Sequence, residues 1–271
     1  MSVHTPAYST LINNRAASAA ELAPLAFSGF AHFTAMQIRG HKAKGMDLHL
    51  ARLRDASLAL FGKALPDEEI LASIRLALKQ GPADMSLTVT LFVPDGEFTA
   101  ASKGALPSML VRTGPPHDGP AHPLRLQAVP HERHLASIKH VGEGAKTYFL
   151  HRALEQGFDD AAFVDRHGRL SEASIWNLVF WDGQAVVWPE AELLLGTTMR
   201  IVQRQLERMG VPQRRQEVRR GDLAHFSGAA VMNSWTPGVP VTAIGEHDFP
   251  VAEALMGTLN EAWQAEPYAS I

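Results

Sequence analysis

Two residues of this chain, Lys139 and Glu172, have side chains and a spacing that suit covalent chemistry. Lys139 precedes a predicted helix that ends at Gly157, and Glu172 follows a predicted hairpin turn at 167–168. A lysine can act as a nucleophile and as a base, because its pKa falls when it is removed from water. A single lysine is usually a solvated surface group, and Glu172 alone could be a strand-end residue that faces water. The order of lysine, helix, turn and carboxylate is therefore more informative than either residue.

A second set of candidates could bind an anion. Gly196, Thr197 and Thr198 precede a predicted helix, and free amide groups at a helix N-terminus attract anions. Arg52, in the string His49-Leu50-Ala51-Arg52-Leu53, has a planar guanidinium that suits the oxygens of a phosphate. The alternatives are an ordinary N-cap threonine and an arginine on the surface of a helix. These residues alone do not decide between an anion site and these alternatives.

In combination with the string Val231-Met232-Asn233-Ser234, these segments resemble the class IV aminotransferase family. Its members are pyridoxal phosphate (PLP) enzymes of fold type IV, namely branched-chain aminotransferases, D-amino acid aminotransferases and 4-amino-4-deoxychorismate lyases. The resemblance extends from about residue 30 to residue 244. It implies an α+β protein of PLP fold type IV, with a small N-terminal α/β domain and a larger C-terminal domain with a β-barrel-like core.

The resemblance also implies a role for each candidate. Lys139 would hold the aldehyde of pyridoxal 5'-phosphate and move a proton, and Glu172 would keep the pyridine nitrogen protonated. Asn177 would fix the loop beside the cofactor. The cofactor phosphate would contact Arg52, Gly196, Thr197, Thr198, Ser234, Trp235 and Thr236.

The sequence departs from the family pattern at two positions. Gly144 stands where many members have a tyrosine near the phenolic oxygen of the cofactor, with Tyr148 as a weak substitute, and Met199 stands where the family usually has an arginine. Lys146 is the fallback for the covalent lysine. The candidates for contact with the substrate are His32, Thr34, Arg39 and Arg133, with His134 as a further possibility.

The function that the resemblance implies is transfer of an amino group from an amino acid to a 2-oxo acid. The alternatives are a 4-amino-4-deoxychorismate lyase, which releases pyruvate, and a non-catalytic protein that keeps the fold. The string His32-Phe33-Thr34-Ala35 is similar to the Phe-Thr-Thr of bacterial lyases, although the Thr34 hydroxyl could serve either reaction. The substrate and its D or L preference stay open, because both occur on this fold.

Local patterns predict where the elements and domains lie. The strongest break in composition, rich in Gly and Pro, is at 114–123, so we predict domains at 1–118 and 119–271. Apolar spacing and turn residues predict the following elements. They are helices over 47–61, 67–80 and 198–209, a helix that ends at Gly157, and strands over 86–93, 108–111, 124–129 and 229–232.

Composition limits the class of protein. The 271 residues include 46% hydrophobic residues and no cysteine, and the net charge is −3. A small-molecule substrate is therefore expected rather than nucleic acid or a membrane. The thirteen histidines show no metal-ligand spacing, so no metal is expected. The N-terminus lacks the features of a secretory signal, which predicts a cytoplasmic protein. The family resemblance implies a homodimer.

Overall fold

The computed structural model describes residues 8–96 and 98–271, and the chain forms two compact units. One unit contains the chain up to His117, residues 138–143 and the C-terminal residues 268–271; the other contains residues 118–137 and 144–267. The division into domains 1–118 and 119–271 stays a prediction. Residues 1–7, on which the argument about a secretory signal depends, lie outside the described residues.

The first unit is an antiparallel sheet with helices. The sheet has the strand order β2-β1-β6-β5-β3. The strands and longer helices are β1 (Ser9–Ile12), β2 (Arg15–Ala16), α1 (Ala19–Leu22), β3 (His32–Ile38), β4 (Lys42–Lys44), α2 (Met46–Phe61), α3 (Asp67–Lys79), β5 (Met85–Phe92) and β6 (Ser108–Gly114), and 3-10 turns lie at Ala23–Phe27 and Ala100–Ser102.

The helices of this unit form where the apolar pattern predicts them. Ile70, Ile74 and Leu78 are buried at fourfold spacing along α3, as predicted. The helix predicted over 47–61 begins one residue earlier, at Met46, and its N-cap residue is Gly45, which has a left-handed backbone. Asp47 lies in the first turn, where its charge interacts favourably with the helix dipole.

The second unit is built around one sheet of nine strands. Its helix α4 ends at Glu155, close to the predicted Gly157, and α5 begins and ends one residue earlier than predicted. The elements are β7 (Leu124–Pro130), α4 (Gly144–Glu155), β8 (Asp160–Val164), β9 (Leu170–Ala173), β10 (Asn177–Trp181), β11 (Val186–Pro189), α5 (Thr197–Arg208), β12 (Gln213–Gln216), β13 (Gly228–Met232), β14 (Val239–Ile244), β15 (His247–Asp248) and α6 (Glu253–Ala265), with a 3-10 turn at Arg220–His225.

Six of these strands close into a barrel-like ring. Their order is β10, β13, β14, β7, β8 and β9, and β9 pairs back onto β10 where Glu172 lies opposite Asn177. Successive residues of β10 enter different cores, because side chains alternate along a strand. Leu178 packs in the cluster formed by the ring strands, whereas Val179 packs in the cluster of α5 and α6. The predicted fold class, α+β with a barrel-like core, is confirmed.

Two short segments complete the first unit from distant parts of the chain. The C-terminal strand β16 (Tyr268–Ser270) pairs with β4. Residues 138–143 run beside β3, where the Phe33 amide donates to the Lys139 carbonyl at 2.9 Å. Within the described residues, no helix is long and apolar enough to cross a membrane.

Candidate active site

Glu172 is a buried carboxylate in the ring of the second unit. It lies in β9 and is only 3% exposed, so the alternative that it faces water is wrong. Its Oε1 accepts a hydrogen bond from Nη1 of Arg133 at 3.1 Å. The same Nη1 donates to the carbonyl of Ala136 at 2.8 Å. Arg133, predicted to contact the substrate, is therefore placed against Glu172.

Asn177 connects Glu172 to the start of α5. It lies opposite Glu172 in the ring, and its Nδ2 donates to the carbonyl of Leu194 at 2.7 Å. Its Oδ1 lies so close to Gly196 that a Cβ at position 196 would overlap it. Gly196 is therefore required because no side chain fits between the backbone there and Asn177. The role of Asn177 in fixing the loop beside a cofactor stays a prediction.

The N-terminus of α5 has the properties of an anion site. Gly196 is the N-cap residue, and among the described residues no side chain caps the helix, so the alternative of an N-cap threonine is wrong. Thr197 and Thr198 are both buried, and the Thr197 hydroxyl has no hydrogen-bond partner among the described residues. A buried hydroxyl without a partner is unusual in a native protein. A phosphate here would accept from that hydroxyl and from the amides of the first turn.

The departure from the family at Met199 has a packing explanation. Met199 is 1% exposed and lies in the apolar cluster that contains Val202 and Leu206 of the same helix. An arginine at that position would place its charge in this cluster, which is unfavourable without a partner. The next residue, Arg200, is only partly buried.

The predicted phosphate contacts at 234–236 form a loop that follows β13. The last residue of β13, Met232, pairs with Asn177, so the loop begins at the same end of the ring. The Trp235 amide donates to Oδ1 of Asn233 at 2.8 Å, and the Trp235 ring packs edge-on against Trp176 at 5.7 Å between centroids. Ser234 lies between Asn233 and Trp235 in the sequence. The Thr236 hydroxyl donates to the carbonyl of Gly238 at 3.2 Å.

Asp160 is a buried carboxylate that the sequence interpretation missed. Its Oδ2 accepts from the Ser174 hydroxyl at 2.8 Å and from Nε1 of Trp176 at 2.9 Å. Burial raises the pKa of this carboxyl, and the hydrogen bonds partly oppose that shift. Asp160 thus holds the turn between Glu172 and Asn177. The sequence does show an aspartate at the start of an apolar strand, but the same pattern is typical of an ordinary turn residue.

Lys139 lies in the first unit, beside β3. Its carbonyl accepts from the Phe33 amide, and its Nζ lies 4.8 Å from the centre of the Phe33 ring. An ammonium group over an aromatic face is stabilised by the ring. Lys146, the fallback, lies on α4 in the second unit, and Gly144 and the exposed Tyr148 lie on the same helix. The choice between the two lysines stays a prediction.

Two buried histidines tie β3 to α2 in the first unit. Nε2 of His32 lies 2.9 Å from the Ser57 hydroxyl, and the Thr34 hydroxyl lies 2.6 Å from Nδ1 of His49. Burial lowers the pKa of His32 to about 4. Burial, with the charge of Arg52 as a further cause, lowers the pKa of His49 to about 3. Both rings are therefore neutral at pH 7, and Arg52 lies near His49 on a helix that is fixed to β3.

Arg39 lies at the opposite end of β3 from Lys139. Six residues separate it from Phe33, which corresponds to about 20 Å along a strand. Its guanidinium donates to the carbonyls of Ile38 at 3.0 Å and of His117 at 3.2 Å. The structure therefore does not bring Arg39 to Lys139 within one chain. Its role as a substrate contact stays a prediction.

The chain belongs to the class IV aminotransferase family, because the family model described as Amino-transferase class IV matches residues 31–244. This match confirms the resemblance inferred from the sequence. A search of curated proteins found no match.

Solved structures share the fold at low sequence identity. A branched-chain aminotransferase from Thermoproteus uzoniensis, with norvaline, is 15% identical with a TM-score of 0.84, covering 96% of this chain and 94% of its own. A 4-amino-4-deoxychorismate lyase from Pseudomonas aeruginosa is 21% identical with a TM-score of 0.80, covering 94% and 98%. An aminotransferase from Brucella abortus, bound to PLP, is 20% identical with a TM-score of 0.77, covering 92% and 93%.

Proposed function

We propose that this protein is a PLP-dependent aminotransferase that moves an amino group from an amino acid to a 2-oxo acid. The observation that carries the proposal is the arrangement of three groups in the second unit. The buried carboxylate of Glu172 lies opposite Asn177, and the Asn177 amide lies against Gly196. The next residue, Thr197, has a hydroxyl with no hydrogen-bond partner in the part of the chain that the structure describes. A carboxylate and an anion site linked by one side chain suit a cofactor with a pyridine ring and a phosphate.

Each proposed residue has a separate task. PLP, when bound, would supply an aldehyde for the amino group and a protonated ring that withdraws electrons. Lys139 would hold that aldehyde through Nζ, and its amine, once freed by the amino group of the substrate, would take the proton from the α carbon. Glu172 would keep the proton on the ring nitrogen. The phosphate contacts would be Arg52, Gly196, Thr197, Thr198, Ser234, Trp235 and Thr236.

The lyase is the second candidate, and the position of Thr34 weakens the sequence argument for it. That argument depends on a threonine hydroxyl available to a substrate. Thr34 is fully buried, and its hydroxyl lies at hydrogen-bond distance from His49. The residue therefore contributes to the packing of β3 on α2. We infer that its hydroxyl has a structural task, which leaves the aminotransferase as the simpler proposal.

A panel of amino donors tests the proposal. The purified protein with PLP is mixed with single L- and D-amino acids and, in a separate reaction, with 4-amino-4-deoxychorismate. The absorbance of the cofactor and the release of pyruvate are recorded. We expect at least one donor to convert the pyridoxal spectrum to the pyridoxamine spectrum, and a 2-oxo acid to reverse it. Pyruvate release from 4-amino-4-deoxychorismate without this conversion would establish the lyase instead. The absence of both reactions would favour a non-catalytic protein.

We also propose that the enzyme acts as a cytoplasmic homodimer. The family resemblance supports the dimer, and a chain without cysteine is compatible with a reducing compartment. Light scattering after size-exclusion chromatography should give twice the mass of the chain, and a mass of one chain would contradict the dimer. Fractionation of the source cells tests the compartment.

A further inference from the structure

We propose that Arg133 is a positioning residue that holds Glu172 ionised and in place, and that it does not bind the carboxylate of the substrate. This inference rests on the proposed function, because Glu172 is there the partner of the cofactor ring. It concerns only contacts inside the second unit, where both residues lie.

The first support is the geometry of one nitrogen atom. Nη1 of Arg133 donates to Oε1 of Glu172 at 3.1 Å and to the carbonyl of Ala136 at 2.8 Å. An Nη atom of arginine has two hydrogens, so these two oxygens account for both. The contact therefore links the carboxylate in β9 to the backbone of the segment that leads to Lys139.

The second support is burial. The side chains of Arg133 and Glu172 are 2% and 4% exposed, respectively. A buried ion pair is weak evidence for net stability, but loss of one partner leaves an uncompensated charge that is strongly unfavourable. Without Arg133, Glu172 would take up a proton more readily, since burial disfavours the charged form. A protonated Glu172 could not keep a proton on the ring nitrogen.

The third support is the backbone between the two contacts. Leu135 has a φ of 51°, which is uncommon for a residue with a side chain, and the leucine itself is 55% exposed. Packing of the leucine therefore does not explain this conformation. Leu135 lies in a turn over residues 134–137, and this turn carries the Ala136 carbonyl that accepts from Arg133.

The kinetic test separates positioning from substrate binding. Arg133→Met should lower kcat about 100-fold with the KM of the amino donor changed less than about threefold, because the loss affects the ring nitrogen and not the substrate. The kcat of Arg133→Lys should be about tenfold higher than that of Arg133→Met. Arg54→Met is the matched control, since Arg54 forms an exposed pair with Asp67. A KM raised tenfold or more with unchanged kcat would overturn the proposal.

A folding measurement separates this proposal from the proposed function. Arg133→Met is made alone and with Glu172→Gln, and the urea unfolding of each full-length variant is followed with and without PLP. We expect Arg133→Met to change the unfolding constant at least tenfold more in the wild-type background than in the Glu172→Gln background. Equal effects would overturn the proposal. If the wild-type chain binds no PLP, the proposed function fails. Coupling between Arg133 and Glu172 in a chain that binds no PLP would then show only a structural contact, and it would overturn the positioning role.

Discussion

Gly196→Ala is the substitution whose effect can be worked out most directly from the structure. The added Cβ would overlap Oδ1 of Asn177, so the amide must move. Its bond to the Leu194 carbonyl, 2.7 Å long, would then break, and a buried polar group without a partner costs about 1–3 kcal/mol. Forced shifts in a packed region cost a further ~1–3 kcal/mol. The smaller entropy of the unfolded alanine chain offsets about 0.4–1 kcal/mol.

The expected net result is a loss of about 1–6 kcal/mol in the free energy of unfolding, measured with urea. PLP affinity should also fall by about tenfold or more, because the clash between Asn177 and the new Cβ displaces the backbone at the N-terminus of α5 as well as the amide. The control is Gly257→Ala in α6, where an added Cβ meets nothing within 4 Å and should stabilise the protein slightly. In an Asn177→Ala background, Gly196→Ala should cost much less. Wild-type stability for Gly196→Ala alone would refute the reasoning.

Three further predictions concern other groups. Arg52→Ala should raise the Kd of PLP about 10- to 100-fold, because it removes a contact of about 1.5–3 kcal/mol. Turnover at saturating PLP should change little. An unchanged Kd would place Arg52 outside the site. Glu172→Gln should retain PLP and reduce turnover about 100-fold, and a change within threefold would exclude the proposed role. Burial raises the pKa of Asp160, so the protonated carboxyl is favoured in the folded state. The free energy of unfolding of the wild type relative to Asp160→Asn should therefore be greatest below about pH 4 and should fall as the pH rises through the raised pKa. Urea unfolding across pH measures this difference, and a difference that grew with pH would contradict the prediction.

Local patterns predicted much of the fold because they depend on neighbours in sequence. The apolar spacing of Ile70, Ile74 and Leu78 defines α3, and glycines end α2 and α5 near the predicted positions. Predicted strands differ from the observed ones mainly in length; the strand predicted over 108–111 extends to Gly114. Strand ends are set by pairing with a partner, which spacing along one chain does not show.

The site was less predictable, because its contacts join residues far apart in sequence. The order of Lys139, a helix, a turn and Glu172 is present in the structure as predicted. The partner of Glu172 was not predicted, since Arg133 lies 39 residues away and looks like a loop cation. The task of Asp160 was missed for the same reason, because the pairing of β8 with β9 brings its donors at 174 and 176 to it.

The identity of the covalent lysine is the most direct test of the central claim. The purified full-length protein, incubated with PLP and reduced with borohydride, should carry one pyridoxyl group, and peptide mass spectrometry should locate it on Lys139. Lys139→Ala should remove the adduct, and Lys146→Ala should leave it in place. An adduct on Lys146, or no adduct on any lysine, would contradict the assignment and with it the order of Lys139 and Glu172 on which the proposed function depends.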